Sequence, residues 1–323
     1  MTLRSRIRTR PLRTTAALLA LLAGCVAERP DDRRDDPGAT AAAAAVADTA
    51  SQLELRFLDV GQGDAVLVRA SGRAVLVDAG PSDRVVARLR ELGVEKLDLL
   101  LASHNHSDHI GGMDAVLDSL PVRNYLDNGH PAGTDIQKRI LRRLEEKSVT
   151  YLEATPRTVS LGDTRLRIVP SPVRERGDEQ NDRSVVVIVE RGRFRALLSG
   201  DSEEPEIRAL LAPGTDLPDV DVLKAAHHGS HNGVTREWLA RLRPEVVVIS
   251  AGKANNYGHP HREALQLYCT EGRQVLRTDL HGEVVVEVSA GGAYATWAEG
   301  DARAVEPSAQ QQACARTGTR RRR

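Results

Sequence analysis

Residues 100–112, LLASHNHSDHIGG, end an apolar run abruptly and place His104, His106, Asp108 and His109 within six positions, ahead of two glycines. A strand that is apolar throughout belongs inside a layered α/β fold, and the loops at strand ends are where such a scaffold carries its chemistry. In a tight turn, His-x-His presents two imidazoles on one side, while Asp-His reaches a neighbouring point. One metal ion can therefore take His104 and His106, and a second can take Asp108 and His109. Imidazole combined with carboxylate suits zinc, iron or manganese. Gly111 and Gly112 give the chain freedom to turn sharply into the next helix.

Eight of the ten histidines fall in three windows, 104–109, 227–231 and 259–261, each beside an apolar run. Between them, LLSGDSEE ends a strand at Asp201, a carboxylate placed to bridge two ions. In LKAAHHGS the adjacent His227 and His228 project differently. The reading gives the metal to His227 and a supporting role to His228, with Ser230 just beyond. In NNYGHPH, His259 is held between a glycine and a proline on a loop able to face a substrate.

Apolar strand-like runs (53–60, 65–70, 74–80, 97–103, and again from 183 onward) alternate with helical spacing over 84–94, 112–120, 135–147, 235–242 and 261–271. A four-layer α/β/β/α sandwich fits this alternation, as do other α/β folds. The termini read differently. Five arginines in the first 13 residues precede TTAALLALLAG, which is too short to span a bilayer and ends at Leu22-Ala23-Gly24-Cys25. The expectation is a lipoprotein-type signal peptide over 1–24, with Cys25 lipidated, and then a flexible linker over 25–51. A folded domain over 52–300 and a disordered basic tail over 301–323 are expected to follow. Basic and acidic residues balance at 45 each, so net charge points to no charged partner. Cys269 and Cys314 either pair in an oxidising compartment or leave Cys269 as a small buried apolar residue.

His104-x-His106-x-Asp108-His109 resembles the signature of metallo-β-lactamase-fold hydrolases. Asp201 and His227 resemble the later bridging and terminal ligands of that family, and Asp78 in LVDAG its orienting aspartate. A narrower resemblance covers about residues 53–288. FLDVGQGDAVLV, LVDAG, SHNHSDHIGG, NDRSVVV, LLSGD, LKAAHHGS, YGHPH and RTDLHGEV occur in the order found in the hydrolase domain of ComEC-type DNA-uptake proteins. The resemblance implies an α/β/β/α sandwich holding two divalent ions, zinc or manganese. It also implies a phosphodiesterase or nuclease acting on DNA, with Asp108, Asp201 and His259 as the catalytic groups.

Departures narrow these expectations. Many family members carry a further metal-binding histidine before the Gly-Asp strand. Here no histidine lies between His130 and His227, and Asn181 or Asp182 stands in the corresponding segment. ComEC-type proteins are membrane channels, so this chain reads as an exported envelope lipoprotein carrying the hydrolase module, with a separate DNA channel as partner. Aromatic residues make up 3% of the chain, leaving few rings for base stacking. Two alternatives share the motifs: hydrolysis of another envelope ester or phosphodiester, such as a phosphocholine or lipid headgroup, and a non-catalytic metal-binding lipoprotein.

Overall fold

The computed structural model describes residues 52–173, 180–270, 273–299 and 314. The signal peptide, linker and tail expected from sequence lie outside these residues, apart from Cys314. The chain opens with strands β1 (Leu53–Phe57), β2 (Val66–Ala70) and β3 (Arg73–Val77), helix α1 (Arg84–Glu91) and β4 (Leu99–Leu101). There follow the short α2 (Ser107–Ile110), α3 (Met113–Ser119), β5 (Asn124–Leu126), α4 (Asp135–Glu146) and β6 (Thr150–Leu152). The second half runs β7 (Arg157–Leu161), β8 (Thr164–Val169), β9 (Val186–Arg191), β10 (Phe194–Leu198), α5 (Glu204–Leu210), β11 (Val222–Lys224) and α6 (Arg236–Leu242). It continues through β12 (Val246–Ile249), α7 (Arg262–Tyr268), β13 (Gln274–Arg277), α8 (Thr278–His281), β14 (Val284–Val288) and β15 (Tyr294–Ala298).

Two sheets result. The first is ordered β15-β14-β1-β2-β3-β4-β5-β6 and the second β13-β12-β11-β10-β9-β8-β7. Period-2 alternation sorts each strand's side chains between two cores. Val66, Val68, Val75 and Val77 of the first sheet meet Val187, Val189, Ala196 and Leu198 of the second in the inner core. Leu67 and Leu76 point the other way, onto Val85, Leu89, Met113, Val116 and Ile140 of α1, α3 and α4. Val186, Ile188, Leu223 and Val247 pack on α5, α6 and α7 through Ile207, Leu210, Trp238, Leu242 and Leu265. Helices cover the outer face of each sheet's parallel half, so interior strands such as β4 and β12 are apolar throughout, and the four layers are α/β/β/α as expected.

Each sheet has a parallel half: β3-β4-β5-β6 in the first and β10-β11-β12-β13 in the second. Parallel strands send their carboxyl ends to one edge, the edge at which open α/β sheets bind ligands. Asp78 follows β3, Ser103–His109 follow β4, Asp201 follows β10, His227 and His228 follow β11, and Ser250–His261 follow β12. The Val185 N–H donates to the Ser103 carbonyl (2.8 Å), tying the two carboxyl edges together.

Several elements went unforeseen. β5 is only three residues long, β7 (RTVSL) is a mostly polar edge strand, and β14 and β15 pair beside β1 at the chain's far end. The two cysteines form a disulfide, with Cα atoms 6.0 Å apart across 45 residues, so Cys269 is not a free buried thiol.

Gly111 and Gly112 follow the histidine turn, but both adopt ordinary helical backbone angles. They are required for space rather than for conformational freedom. A Cβ on Gly111 would lie closer than 3.0 Å to the carbonyls of Pro81 and Ser107, and one on Gly112 equally close to those of Ala79 and Ser82. Two backbone oxygens at each position cannot yield as a flexible side chain would. Gly111→Ala is predicted to lose about 1–3 kcal/mol in urea unfolding, as for other overpacked sites. Unchanged stability would mean that the loops relax freely.

Candidate metal centre

The site is built where the two carboxyl edges meet. Asp78 has left-handed backbone (φ 59°) directly after β3, a conformation that costs a non-glycine residue roughly 1–2 kcal/mol. Its carboxylate is anchored in return. Oδ1 accepts the Ser103 N–H at 2.7 Å, and Oδ2 accepts the Ser103 hydroxyl at 2.8 Å and His109 Nδ1 at 2.9 Å. A carboxylate can only accept, so the His109 proton sits on Nδ1 and Nε2 is turned into the site. Carboxylates orient metal-binding histidines in this manner. His109 Nε2 lies 3.1 Å from Asp201 Oδ2.

His227 and His228 both adopt left-handed backbone, with φ values of 48° and 53°. The turn drives His228 inward until it is 1% exposed. Its Nδ1 donates to the Ser250 carbonyl (3.1 Å), and Nε2 stands 3.1 Å from Asp108 Oδ2 and 3.4 Å from Asp201 Oδ2. Ligand atoms of Asp108, His109, Asp201 and His228 all fall within 4.8 Å of one another. His227 is outside this group. Its Nε2 is 4.0 Å from Asp201, and its Nδ1 is 3.0 Å from Glu203 Oε1. The geometry thus brings His228, given a supporting role by the sequence reading, into the candidate cluster and leaves His227, the expected ligand, beside it.

His104 and His106 face each other, Nε2 to Nδ1 at 3.0 Å, with His104 Nε2 4.0 Å from Asp201. His104 is buried and its Nδ1 lies 3.1 Å from the Ser103 hydroxyl, whereas His106 is exposed. Asn181 donates from Nδ2 to Glu203 (2.7 Å), the carboxylate that also faces His227. The His259 ring centroid is 5.4 Å from that of His227 and 6.0 Å from that of His228. Ser230 is buried, 3.4 Å from His261 Nδ1 and away from the four-group cluster.

Two residues that the sequence reading did not single out complete the centre. Asp64, in GQGD, and Lys224, the last residue of β11, are 2% and 1% exposed and form an ion pair. Lys224 Nζ also donates to the Gly200 carbonyl (2.9 Å) and stands 3.8 Å from Asp201 Oδ1. A lysine inside an apolar strand run was the available signal, because a buried lysine requires a carboxylate.

The electrostatics follow from burial. Desolvation pushes the Asp201 carboxyl up, but the His109 and His228 rings outweigh it and hold Asp201 well below the usual carboxylate range. Desolvation likewise pushes His109 and His228 down. Asp201 heads the carboxylates that reverse this in both, and the two rings end well above the ordinary imidazole value. His104, buried beside His109, is pushed well below it. Burial, then His228 and His227, bring His259 down to about 4. The centre thus gathers carboxylates that need positive charge. A divalent cation fits the donor set, and buried His109 Nε2 and Asp201 Oδ1 have no hydrogen-bond partner of their own.

Residues 58–253 match the family model described as Metallo-beta-lactamase superfamily. The chain belongs to this superfamily.

As a superfamily hydrolase it is similar to "ComE operon protein 3" of Bacillus subtilis (strain 168), with 29% identity over 72% of this chain and 33% of that protein. It is similar also to "Competence protein ComA" of Neisseria gonorrhoeae, with 30% identity over 87% of this chain and 36% of that protein. The chain spans about a third of the length of these relatives. Among solved structures, the metallo-beta-lactamase fold protein YhfI from Bacillus subtilis overlaps 70% of this chain and 96% of its own, with 14% identity and a TM-score of 0.48.

Behind the hydrolase centre, Glu206 of α5 is fully buried and accepts the Ser184 N–H at 3.2 Å, while the Ser184 hydroxyl accepts the Asp201 N–H at 3.1 Å. Burial pushes the Glu206 carboxyl from 4.5 up to about 8. Between those values the native state holds a proton that the unfolded chain has released. Stability from this group is full below 4.5 and is lost as pH rises through 8, by up to about 1.4 kcal/mol per pH unit. Glu206→Gln keeps the acceptor without the titration. Its stability relative to wild type is predicted to rise between pH 5.5 and 8.5 in denaturant unfolding, and parallel pH curves would contradict the assignment.

Proposed function

We propose that this superfamily hydrolase is a metal-dependent phosphodiesterase of the cell envelope that acts as a nuclease on DNA. One observation carries the reading: Asp108, His109, Asp201 and His228, delivered by three separate loops, converge on one buried point. Competence, the word in the name of the ComA relative, and the ComEC-type order of motifs favour DNA over other phosphodiesters. The HHGS and GHPH motifs, and a site without cysteine, disfavour a β-lactam.

Two divalent ions, zinc or manganese, suit these donors, and such ions when bound supply a water acidic enough to be a nucleophile at neutral pH and positive charge against a phosphate. Asp108, His109, Asp201 and His228 would hold one, and His104, His106 and Asp201 the other, with His227 beside them and Asn181 standing where the family has a further histidine. Asp108 and Asp201 would orient the attacking water. Asp78 keeps His109 Nε2 directed inward, as Ser250 does for His228. His259, set back from the cluster on its own loop and held neutral by its surroundings, hydrogen-bonds a phosphate oxygen through a ring N–H. Lys224 keeps Asp64 neutralised beneath the site.

In this reading the hydrolase domain spans residues 52–300 and is tethered to the membrane through lipidated Cys25 and the 25–51 linker. The 301–323 tail ends in arginines that attract phosphates. The partner it calls for is a membrane channel that presents DNA.

The test uses the full chain stripped by chelator, reloaded with zinc or manganese, and assayed on linear DNA and on bis-p-nitrophenyl phosphate. Metal is expected to restore cleavage of both. Asp108→Ala is expected to lose more than the about 10–100-fold that outer partners of a ligand typically contribute. Hydrolysis of the small diester without DNA cleavage would transfer the site to another phosphodiester. Metal binding without either activity would leave a metal-binding lipoprotein.

A further inference from the structure

The loop between β12 and α7 carries more than His259. Two residues before it, Tyr257 is 67% exposed, the most exposed large apolar side chain among the described residues. Single exposed apolar residues are ordinary, but this one is placed and held. Its ring lies nearly parallel to the His259 imidazole, at 21° with centroids 5.6 Å apart, and His259 in turn lies 6.0 Å from His228 of the metal cluster. The tyrosine ring is therefore one imidazole removed from the metal cluster.

The loop beneath it is tied at several points. Asn255 Oδ1 accepts the His259 N–H (2.9 Å), and Asn255 Nδ2 donates to the carbonyls of His259 (2.7 Å) and Gly252 (2.9 Å). His261 Nε2 donates to the Tyr257 carbonyl at 3.2 Å, and the His261 N–H donates to the Gly229 carbonyl at 2.9 Å. A phenol ring on a hydrogen-bonded loop offers contact area at small entropic cost.

We propose that Tyr257 is a base-stacking subsite: an unpaired nucleobase next to the scissile phosphate stacks on its exposed ring, which directs the enzyme to single-stranded or frayed DNA. The inference rests on the phosphodiesterase reading above and names its substrate more closely. Every base has a π-face, so an aromatic platform serves any sequence. Lys253, exposed on the same loop, supplies charge for a flanking phosphate. The surroundings argue against the other occupants of a lone ring. A quaternary ammonium headgroup calls for a cage of several aromatic faces, whereas the ring that Tyr257 meets is the His259 imidazole. A lipid chain or an apolar protein surface would need a contiguous apolar patch, and the flanking residues are Asn255, Asn256 and Gly258.

The test compares the metal-reloaded full chain with Tyr257→Ala and Tyr257→Phe on a single-stranded oligonucleotide. The same strand is also supplied with one abasic residue placed in turn at each position around the cleaved bond. Tyr257→Ala is expected to raise KM by about 5–150-fold, the range of a lost base stack, with a much smaller change in kcat, and Tyr257→Phe to restore it. The abasic residue at one position should cost the wild type a similar factor and cost Tyr257→Ala nothing further. Equal KM values for wild type and Tyr257→Ala would overturn the subsite, as would a loss in Tyr257→Ala that adds to the abasic loss at every position. A wild type that hydrolyses bis-p-nitrophenyl phosphate but no DNA would overturn the nuclease reading itself, and with it this one.

Discussion

Asp201 lies at the tip of β10 within reach of two imidazoles and a lysine, and none of these groups could be buried alone. An isolated carboxylate in a protein interior is strongly disfavoured, and breaking one partner from a buried ion pair typically costs about 3–5 kcal/mol. Here Asp64, Asp108 and Asp201 face Lys224, His109 and His228 across a few ångströms. Each group is tolerable only because the others are present. The lysine is a permanent cation for Asp64. The imidazoles are also metal donors, so a bound cation can take over their share of the balance.

That balance requires loops from both sheets to arrive together, and the sandwich achieves it with two parallel half-sheets whose carboxyl ends meet. Asp78 and the 103–109 turn come from one sheet, and Asp201, the 227–228 pair and the 250–261 loop from the other. Glycines at 63, 111 and 112 allow the turns to lie backbone against backbone, leaving no room for a Cβ. Three of the six left-handed non-glycine residues among those described, Asp78, His227 and His228, lie at the site. The apolar cores on three levels keep those residues in place.

The legible parts of this design were local ones. His104, His106, Asp108 and His109 span six positions, so their spacing alone suggested a metal-binding turn, and apolar strands alternating with helical spacing announced the layers. Contacts between distant segments were not legible in the same way. Asp64 and Lys224 are separated by 160 positions of chain, and only the odd lysine inside a strand run hinted at a partner. The choice between His227 and His228 turned on two consecutive left-handed residues, a conformation for which no glycine gave warning. The Cys269–Cys314 bridge was open to two readings until the two Cα atoms were found 6.0 Å apart.

The central claim is that the buried carboxylate and imidazole groups form a metal centre. The most direct test is anomalous diffraction from crystals of the protein reloaded with zinc or manganese, with data collected on both sides of the metal's absorption edge. The account predicts a peak bounded by Asp108, His109, Asp201 and His228, and a second beside His104 and His106. Crystals of metal-loaded protein with no edge-dependent peak among these residues would contradict it and leave the cluster as a network of protonated histidines and carboxylates.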